Sequence, residues 1–231
     1  MDSGVIVAID GPAGAGKGTI ARYLASSYQL RLLETGLLYR LLGYHAFIQK
    51  IPLEASSSLL RLAVTLDFTD LSAPELRQEW VGNLASKISV WPEVREFLTG
   101  YMRRFCQKTA LPYRGVILDG RDIGTVVCPD ATLKFFITAS PEVRAQRRAL
   151  EMEKSSFHDK VFLAQVSERD QRDQSRTLSP LTMAEDAYQI DTTNLTVQES
   201  CHQAAKIVQA FLDKDFEFPS NNKRVLDLKP D

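Results

Sequence analysis

A glycine-rich loop directly after a short apolar run constrains the fold of this chain more than any other feature. Val5 to Ile9 is largely β-branched and has no polar residue, which is typical of a central parallel strand buried on both faces. The loop GPAGAGKGT follows at residues 11–19, and Thr19 to Ser27 has a helical pattern. A strand, a G-x-x-x-x-G-K loop and a helix in this order predict a nucleoside triphosphate site.

The loop suits phosphate because glycines let the chain curl until several backbone N–H groups point inward. Lys17 can then reach the β- and γ-phosphates. Gly18 stands where a serine or threonine hydroxyl usually holds magnesium, so Thr19 is the candidate for a hydroxyl ligand to the metal or a phosphate. The predicted donor-binding residues are the whole loop: Gly11, Pro12, Ala13, Gly14, Ala15, Gly16, Lys17, Gly18 and Thr19.

Strand and helix patterns alternate along the rest of the chain. Strands are predicted at 30–33, 115–119, 133–137 and 189–191, and helices at 37–48, 140–154 and 197–212. This alternation predicts an α/β fold with a parallel five-stranded sheet and helices on both faces. Residues 51–105 depart from the rhythm and indicate an insertion. The polar tail at 213–231 is predicted to be poorly ordered.

Composition narrows the class of protein. The chain has 231 residues, is 44% apolar and 25% charged, and has a formal net charge of -1. These values fit an ordinary globular protein and give no overall basic field for nucleic acid or a membrane. Cys106, Cys128 and Cys201 form no C-x-x-C pair, which favours reduced thiols over disulfides or a zinc site. We expect a cytoplasmic monomer without a signal peptide or membrane span.

Charged residues follow the predicted strand at 115–119. Asp119 ends this strand, and ligands gather at the carboxyl ends of parallel strands. Asp119 is therefore a candidate magnesium ligand, directly or through water, with a turn-forming aspartate before Gly120 as the alternative. Arg121 and Asp122 come next and would face the same crevice, where arginine binds phosphate well. A surface ion pair is the alternative for these two residues.

Arginines cluster in two later segments. One predicted helix holds Arg144, Arg147 and Arg148. The segment at 168–176 alternates charges and places on one helical face Arg169, Asp173 and Arg176. By composition alone, both segments fit solvated helices with ion pairs. The number of arginines, in a protein that must neutralise several phosphates, favours instead a lid that excludes water from the transferred phosphoryl group.

Five motifs together resemble the bacterial-type cytidylate kinases, which are nucleoside monophosphate kinases. They are GPAGAGKGT at 11–19, ETGLLYR at 34–40, LASKISVWPEVRE at 84–96, DGRDIGTVVCPDA at 119–131 and ERDQRDQSR at 168–176. The resemblance runs from about Val5 to about Leu212. The phosphate loop is shared by a broader superfamily, whereas the last two motifs together are much more specific to cytidylate kinases.

The resemblance implies one P-loop kinase domain that uses ATP and Mg2+ to phosphorylate CMP and dCMP. It implies an acceptor-binding insertion at 36–105 and a lid at 145–176. The acceptor phosphate would be held by Thr35, Arg40 and Arg121, and the cytosine would be read by Ser86, Arg95, Asp122 and Arg176. Arg169 and Asp173 would contact the ribose, and Arg147 and Arg148 would be lid arginines near the donor. The implied catalytic set is Lys17, Arg121, Arg147 and Arg148.

The sequence departs from the family pattern at two points. Thr35 stands where the family often has serine, and the insertion between Leu66 and Ala85 is shorter than in long-form members and lacks their small β-sheet. The shorter insertion concerns the shape of the acceptor-binding region and leaves the matched motif residues unchanged.

The alternatives to a cytidylate kinase are another small-molecule P-loop kinase, of UMP, AMP or shikimate type, and a non-catalytic nucleotide-binding switch. A GTP switch should carry N-K-x-D, and the nearest string, at 222–225, lacks the aspartate.

Overall fold

The computed structural model describes residues 5–108, 112–151 and 159–212. The strands in these residues are β1 (Val5–Asp10), β2 (Leu30–Glu34), β3 (Gly115–Asp119), β4 (Leu133–Thr138) and β5 (Tyr188–Asp191). The helices are α1 (Lys17–Tyr28), α2 (Thr35–Ile48), α3 (Ser56–Thr65), α4 (Glu79–Ile88), α5 (Pro92–Gln107), α6 (Pro141–Glu151), α7 (Asp159–Gln174) and α8 (Val197–Leu212). A short 3-10 helix precedes α4, at Pro74–Arg77, and a π-helical turn follows β3, at Ile123–Val127.

The sheet is parallel throughout, with the strand order β2-β3-β1-β4-β5. β1 is the central strand, and its Val7, Ala8 and Ile9 are fully buried because helices cover both faces. The register pairs Asp119 with Ile9 on one side and with Glu34 on the other. The carboxyl ends of β1, β2 and β3 therefore lie at the same edge, and the loops that follow them meet there.

Two apolar layers enclose the sheet. Alternate residues of β3 show the division, since Val116 and Leu118 pack into one layer and Ile117 packs into the other. The first layer contains residues of α2, α3, α4 and α5, and the second contains residues of α1 and α8. A separate small cluster packs α6 against α7, through Ala145, Ala149, Phe162 and Val166. The α6–α7 pair therefore has a small core of its own beside the sheet.

The predicted fold class is confirmed, and the predicted strand bounds are close to those observed. The strand at 115–119 and the helix at 197–212 agree with the structure at both ends. Each of the other four strands is one residue longer than predicted. α1 begins two residues before the predicted helix because the helical backbone starts inside the glycine-rich loop, at Lys17. Between β2 and β3 the described residues form helices and no strand, as the shortened insertion predicts.

α6 begins as its sequence predicts. Ser140 caps the helix by accepting a hydrogen bond from the Val143 N–H at 3.3 Å, and Pro141 is the first helical residue. The helix is described as far as Glu151, and the rest of the predicted span to 154 lies outside the described residues, as does the tail at 213–231. None of the described helices is both long enough and apolar enough to cross a bilayer.

Gly11 offers a test of the packing at the sheet edge. Its φ is 143°, and a Cβ on this residue would collide with the backbone carbonyl oxygen of Ile137 in β4. Gly11→Ala is expected to lower the free energy of unfolding by about 3 kcal/mol or more, because alanine fits neither the space nor this φ. Urea denaturation measures the change.

A matched substitution is available at Gly36 in α2, where nothing lies within 4 Å of the Cβ position. Gly36→Ala should leave the free energy of unfolding unchanged or raise it by up to about 1 kcal/mol, since alanine is the better helix former. Equal stability of Gly11→Ala and the wild-type protein would contradict the packing described for β1 and β4.

Candidate active site

The phosphate loop joins β1 to α1 in a curled backbone. Gly14 and Gly16 have φ values of 78° and 91°, in the left-handed region that glycine adopts without strain. α1 begins at Lys17, so the unpaired N–H groups of the first helical turn lie beside the loop. The buried Lys17 ammonium donates to the Pro12 carbonyl at 2.9 Å. The loop, the helix N-terminus and the lysine together form an anion site.

Lys17 faces Asp119 across the edge of the sheet, with 3.9 Å between Nζ and Oδ1. Burial and the positive charge of Arg121 lower the pKa of Lys17 to about 7. Burial also raises the pKa of Asp119. A phosphate anion bound beside Lys17 would raise the pKa of this lysine again, because an opposite charge favours the protonated form. Keeping Lys17 protonated in this buried position therefore costs free energy, and a bound anion would lower that cost.

Gly18 lies close to the charged ends of three side chains. A Cβ on Gly18 would lie 3.3 Å from Asp119 Oδ2, 3.3 Å from Arg22 Nη1 and 3.4 Å from Glu34 Oε1. The space is therefore tight where such loops usually carry a hydroxyl residue. Thr19, the predicted substitute, is half-buried in the first turn of α1 and is not among the residues that line the crevice described next.

A crevice of about 480 Å³ lies at the carboxyl edge of the sheet and brings most of the predicted site residues together. Eight cationic and four anionic side chains line it, an excess of positive charge that suits a ligand with several phosphates. The cations are Lys17, Arg40, Arg77, Arg95, Arg121, Arg148, Arg169 and Arg176. The anions are Glu34, Asp119, Asp122 and Asp173, and the other predicted lining residues are Ala13, Gly14, Thr35 and Ser86.

Ion pairs join segments of the crevice that are far apart in sequence. Arg95 of α5 pairs with Asp122 after β3, and both side chains are buried. Arg121 Nε donates to Asp173 of α7 at 3.0 Å, and Arg176 pairs with the other oxygen of the same carboxylate. Against the effect of burial, these arginines lower the pKa of Asp173, so this carboxylate stays ionised. Ion pairs therefore connect the turn after β3 with the insertion on one side and with α7 on the other.

Two buried hydroxyls in the crevice, those of Tyr39 and Ser86, have no hydrogen-bond partner among the described residues. Burial raises the pKa of Tyr39 to about 12, so this hydroxyl keeps its proton at neutral pH. An unsatisfied buried polar group costs free energy unless a ligand pairs with it. Sequence reasoning predicted Ser86 as a site residue and missed Tyr39, because a tyrosine within an apolar helix pattern usually belongs to the core.

Thr35 and Arg40 are both tied to backbone carbonyls. The Thr35 hydroxyl donates to the last carbonyl of β3 at 2.8 Å, and Arg40 Nη1 donates to two carbonyls of segment 76–78 at 2.7 and 3.0 Å. Burial lowers the pKa of Arg40, and burial together with the charge of Arg121 lowers that of Arg169 to about 9. These guanidinium groups are thus further cations that an incoming anion would stabilise.

The two predicted lid arginines on α6 occupy different surroundings. Arg148 lines the crevice and pairs with Glu79 of α4. Arg147 is not among the lining residues, and it donates instead to the hydroxyl and the carbonyl of Thr192, at 2.9 and 2.7 Å. The structure therefore brings Arg148 to the other site residues and leaves Arg147 outside the lining.

Arg144, on the same helix, anchors the phosphate loop. It is buried and forms a bidentate pair with Asp170 of α7, at 3.0 and 2.6 Å. Its guanidinium also donates to the carbonyls of Ala13 and Ala139, at 3.3 and 2.9 Å. α6, α7 and the loop are thus joined by one side chain, whereas the sequence predicted for Arg144 only a place in a cluster of lid arginines.

Asp10, the last residue of β1, is a buried carboxylate that no motif singled out. Its two oxygens accept hydrogen bonds from the N–H groups of Ile123 and Gly124, at 2.8 and 2.7 Å. These bonds fix the turn after Arg121 and Asp122 to the residue that precedes the phosphate loop. Burial raises the pKa of Asp10 to about 7. The sequence shows only an aspartate at the end of an apolar strand. It does not reveal the role of Asp10, because the hydrogen-bond partners are 113 and 114 residues away.

Comparison with known proteins places these residues in a family context. The family model described as cytidylate kinase matches residues 7–210. The cytidylate kinase of Bradyrhizobium sp. (strain ORS 278) is 40% identical over 208 residues, which cover 89% of this chain and 96% of that protein. The cytidylate kinase of Mesorhizobium japonicum is 43% identical over 210 residues, which cover 90% of this chain and 95% of that protein.

A solved structure supports the fold alone. The crystal structure of an uncharacterized protein from Eubacterium ventriosum covers 89% of this chain and 99% of its own, with a TM-score of 0.53. Its sequence identity to this chain is 13%. The likeness therefore concerns the arrangement of strands and helices.

Asp10→Asn should change how stability depends on pH. The pKa of Asp10 is about 7 in the folded protein, against an ordinary value of 3.8. The folded state therefore binds the proton more tightly, and this group makes the wild-type free energy of unfolding fall as pH rises from about 4 to about 7. Asparagine does not titrate. The wild-type value minus the Asp10→Asn value should decrease by a few kcal/mol (roughly) across this window.

Urea unfolding at several pH values between about 5 and about 8 measures this difference. Asp67→Asn is the control, because Asp67 is exposed and its hydrogen bonds with Thr69 lower its pKa. That substitution should give a constant difference above pH 5 or so, where Asp67 is ionised in both states. A constant difference for Asp10→Asn as well would contradict the assignment.

Proposed function

The chain belongs to the cytidylate kinase family, and we propose that it transfers the γ-phosphoryl group of ATP to CMP, and also to dCMP, in pyrimidine nucleotide metabolism. One observation carries the proposal: a single crevice holds the phosphate-loop lysine, Lys17, together with the buried Arg95–Asp122 pair. The lysine suits the phosphates of a nucleotide. The ion pair offers both donors and an acceptor to the edge of a base.

Cytosine is the base that these polar groups fit best. It presents an amine donor and two acceptors, O2 and N3. Asp122 can accept from the amine, while Arg95 and Arg176 can donate to the acceptors. The Ser86 hydroxyl, which lacks a partner in the described part of the chain, can complete the set. Uracil would place an acceptor where cytosine has its donor, and a buried mismatch of this kind discriminates strongly.

The acceptor phosphate is assigned to Thr35, Arg40 and Arg121, and the ribose to Arg169 and Asp173. The lowered pKa values of Arg40 and Arg169 support this assignment, because a dianionic phosphate would offset the cost of their buried charge. Arg121 is held at 3.0 Å by Asp173, so its guanidinium is oriented before the nucleotide binds.

The donor triphosphate is assigned to the loop at 11–19. Lys17 and the helix N-terminus would hold its phosphates, and Arg147 and Arg148 would act as lid arginines. The position of Arg148 supports its part directly, because this residue lines the crevice. Arg147 would have to leave Thr192 to reach the donor, since it now donates two hydrogen bonds to that residue.

Magnesium fits the site through Asp119 better than through Thr19. Asp119 lines the crevice beside Lys17, and carboxylate oxygen is a ligand that Mg2+ prefers. Thr19 is outside the lining and Gly18 has no side chain, so Asp119 and water would be the main ligands. When bound, Mg2+ would offset charge on the β- and γ-phosphates.

The residues of this chain contribute position and charge rather than a general base. The acceptor is a phosphate oxyanion near neutral pH, so no proton needs to be removed from it. Lys17 and Arg121 would neutralise the oxygens of the transferred phosphoryl group, and the arginines of α6 and α7 would exclude water around it. Lys17 would act as a cation, since bound phosphates would raise its pKa above the value of about 7 that burial and Arg121 give it in the free chain.

A monomer suffices for this function. One chain can supply every residue assigned above to CMP and ATP, so the proposed reaction does not require a second copy. Size-exclusion chromatography at the assay concentration tests this expectation directly.

A coupled ADP-release assay across CMP, dCMP, UMP, AMP and shikimate tests the proposed reaction. We expect turnover with CMP and dCMP and a much lower kcat/KM with UMP and AMP. Activity confined to AMP or shikimate would overturn the proposal. The absence of activity with every acceptor would favour a non-catalytic nucleotide-binding protein.

Lys17→Ala and Arg121→Ala should each lower kcat by about a hundredfold or more, because each removes charge that stabilises the transferred phosphoryl group. Steady-state kinetics with CMP and ATP measure the loss, and circular dichroism checks that the fold is intact. Arg61→Ala is the control, since Arg61 is exposed and bonds only to Ser58 among the described contacts. Near-normal turnover in either site variant would refute the assignment.

Ser86→Ala should raise the KM for CMP about tenfold, because it removes a hydroxyl assigned to the base. Its stability should change little, since that hydroxyl has no partner in the described chain. Ser200→Ala is the matched control: Ser200 is buried in α8, its hydroxyl donates to the Thr196 carbonyl at 2.9 Å, and it is not among the residues that line the crevice. That control should lose about 1 kcal/mol of stability with a smaller effect on the KM. Equal KM values for the two variants would contradict the role of Ser86.

A further inference from the structure

Two thiols that are distant in sequence meet beside the acceptor side of the crevice. Cys106 lies near the end of α5, and Cys128 directly follows the π-helical turn. Their sulfur atoms are 3.5 Å apart, although 22 positions separate them in the chain. Cys128 is largely buried, Cys106 is half-buried, and neither lines the crevice. The sequence indicated unrelated reduced thiols, and only the fold makes them a pair.

The backbone segments that carry the two sulfurs are firmly joined. Arg103 of α5 donates to the carbonyls of Val126 and Val127 in the turn, both at 2.9 Å. The Cys128 N–H donates to the Ile123 carbonyl at 2.7 Å and closes the turn. The short distance between the sulfurs is therefore held by contacts on both sides of the pair.

The surroundings give the two thiols different chemistry. One thiol donates a hydrogen bond to the other, and with Cys106 as the donor this bond lowers the pKa of Cys128 and raises that of Cys106. The positive charge of Arg103 lowers the pKa of Cys128 further. Burial of Cys128 opposes these two effects. With Cys106 as the donor, Cys128 is the thiol that loses its proton more readily, and Cys106 lies 3.5 Å away as the thiol that can resolve an oxidised partner.

We propose that Cys106 and Cys128 form a peroxide-sensitive dithiol site that closes to a disulfide and weakens phosphorylation of the acceptor. The Cys128 thiolate attacks hydrogen peroxide and becomes a sulfenic acid, and the displaced hydroxide takes up the proton that this thiol had lost. The Cys106 thiol then attacks that sulfur, and its proton leaves with the hydroxyl group as water. Two thiols and one peroxide give one disulfide and two waters, with two electrons passing to the peroxide.

The disulfide would affect the acceptor side of the crevice because α5 and the π-helical turn, which carry the two cysteines, also adjoin residues assigned to the acceptor. A sulfur–sulfur bond is about 2.0 Å long, so closure must shorten the present distance of 3.5 Å between the sulfurs and fixes the side chains that α5 and the turn contribute. α5 carries Arg95, and the turn follows Asp122 directly, and these two residues pair in the crevice. The chemical step is independent of the proposed function, whereas its kinetic consequence rests on it.

Intact mass spectrometry of the full chain tests the chemical step. The background is Cys201→Ala, which removes the third cysteine. Hydrogen peroxide should cause a loss of two hydrogen atoms, about 2 Da, with a peptide that links Cys106 to Cys128 and reversal by dithiothreitol. Cys106→Ser and Cys128→Ser should not show this loss, and if Cys128→Ser fails to fold, Cys106→Ser alone provides the comparison. Thiols that stay reduced, oxygen addition without a cross-link, or a disulfide between two chains would overturn the proposal.

Melting temperature and kinetics test the consequence. The cross-linked protein should melt about 5 °C or more higher, since the bond restricts the unfolded chain. Its kcat/KM for CMP should fall about fivefold or more, with little change in the KM for ATP, and dithiothreitol should restore it. A cross-link that leaves the CMP kinetics unchanged would overturn the effect on the acceptor. A reduced protein that is inactive with every acceptor would refute the proposed function instead, while the mass and melting data still decide the dithiol chemistry.

Discussion

Positive charge gathered in one crevice, part of it on buried side chains, is the constraint on which the rest of the structure depends. Eight cations share this space with four anions. Burial lowers the pKa values of Lys17, Arg40 and Arg169, so the fold gives up stability to keep them there. Asp122 and Asp173 offset part of the repulsion and orient the arginines that pair with them. The phosphates of a nucleotide bound as proposed would offset the remainder, which would link stability to nucleotide binding.

Local sequence patterns were sufficient to predict the sheet and the part of the site formed by the phosphate loop and the residues that follow β3. The apolar runs of β1 and β3 have sharp ends, and parallel strands that end at one edge must bring the loop at 11–19 close to Asp119. Arg121 and Asp122 follow from the same geometry. Ser86 and Arg95 did not, because nothing in the spacing of the insertion shows where it packs. Their prediction rested on family resemblance, and the structure now brings both into the crevice.

Contacts between distant segments were beyond reasoning from one sequence. Neighbouring positions of a helix point about 100° apart, so Arg147 and Arg148 leave α6 in different directions, and Arg147 bonds to Thr192 instead of lining the crevice. Which of them lines the crevice depends on how α6 docks on α7 and on α4, and it is Arg148 that does so. Asp10 escaped notice for a related reason. Its role consists of two hydrogen bonds to backbone groups of a turn that no local pattern connects with β1.

The four residues after the core of β3 combine tasks that a less constrained loop would keep apart. Asp119 faces the phosphate-loop lysine, Arg121 pairs with α7, and Asp122 pairs with α5. Gly120 has no room for a side chain, since a Cβ there would lie 2.8 Å from the hydroxyl oxygen of Thr35, the first residue of α2. Asp10 fixes the backbone that follows. Because the segment is held on both sides, moving the carboxylate proposed to read the base also moves the guanidinium proposed to bind phosphate. A change of base specificity without loss of phosphoryl transfer is therefore more accessible through α4 and α5 than through this turn.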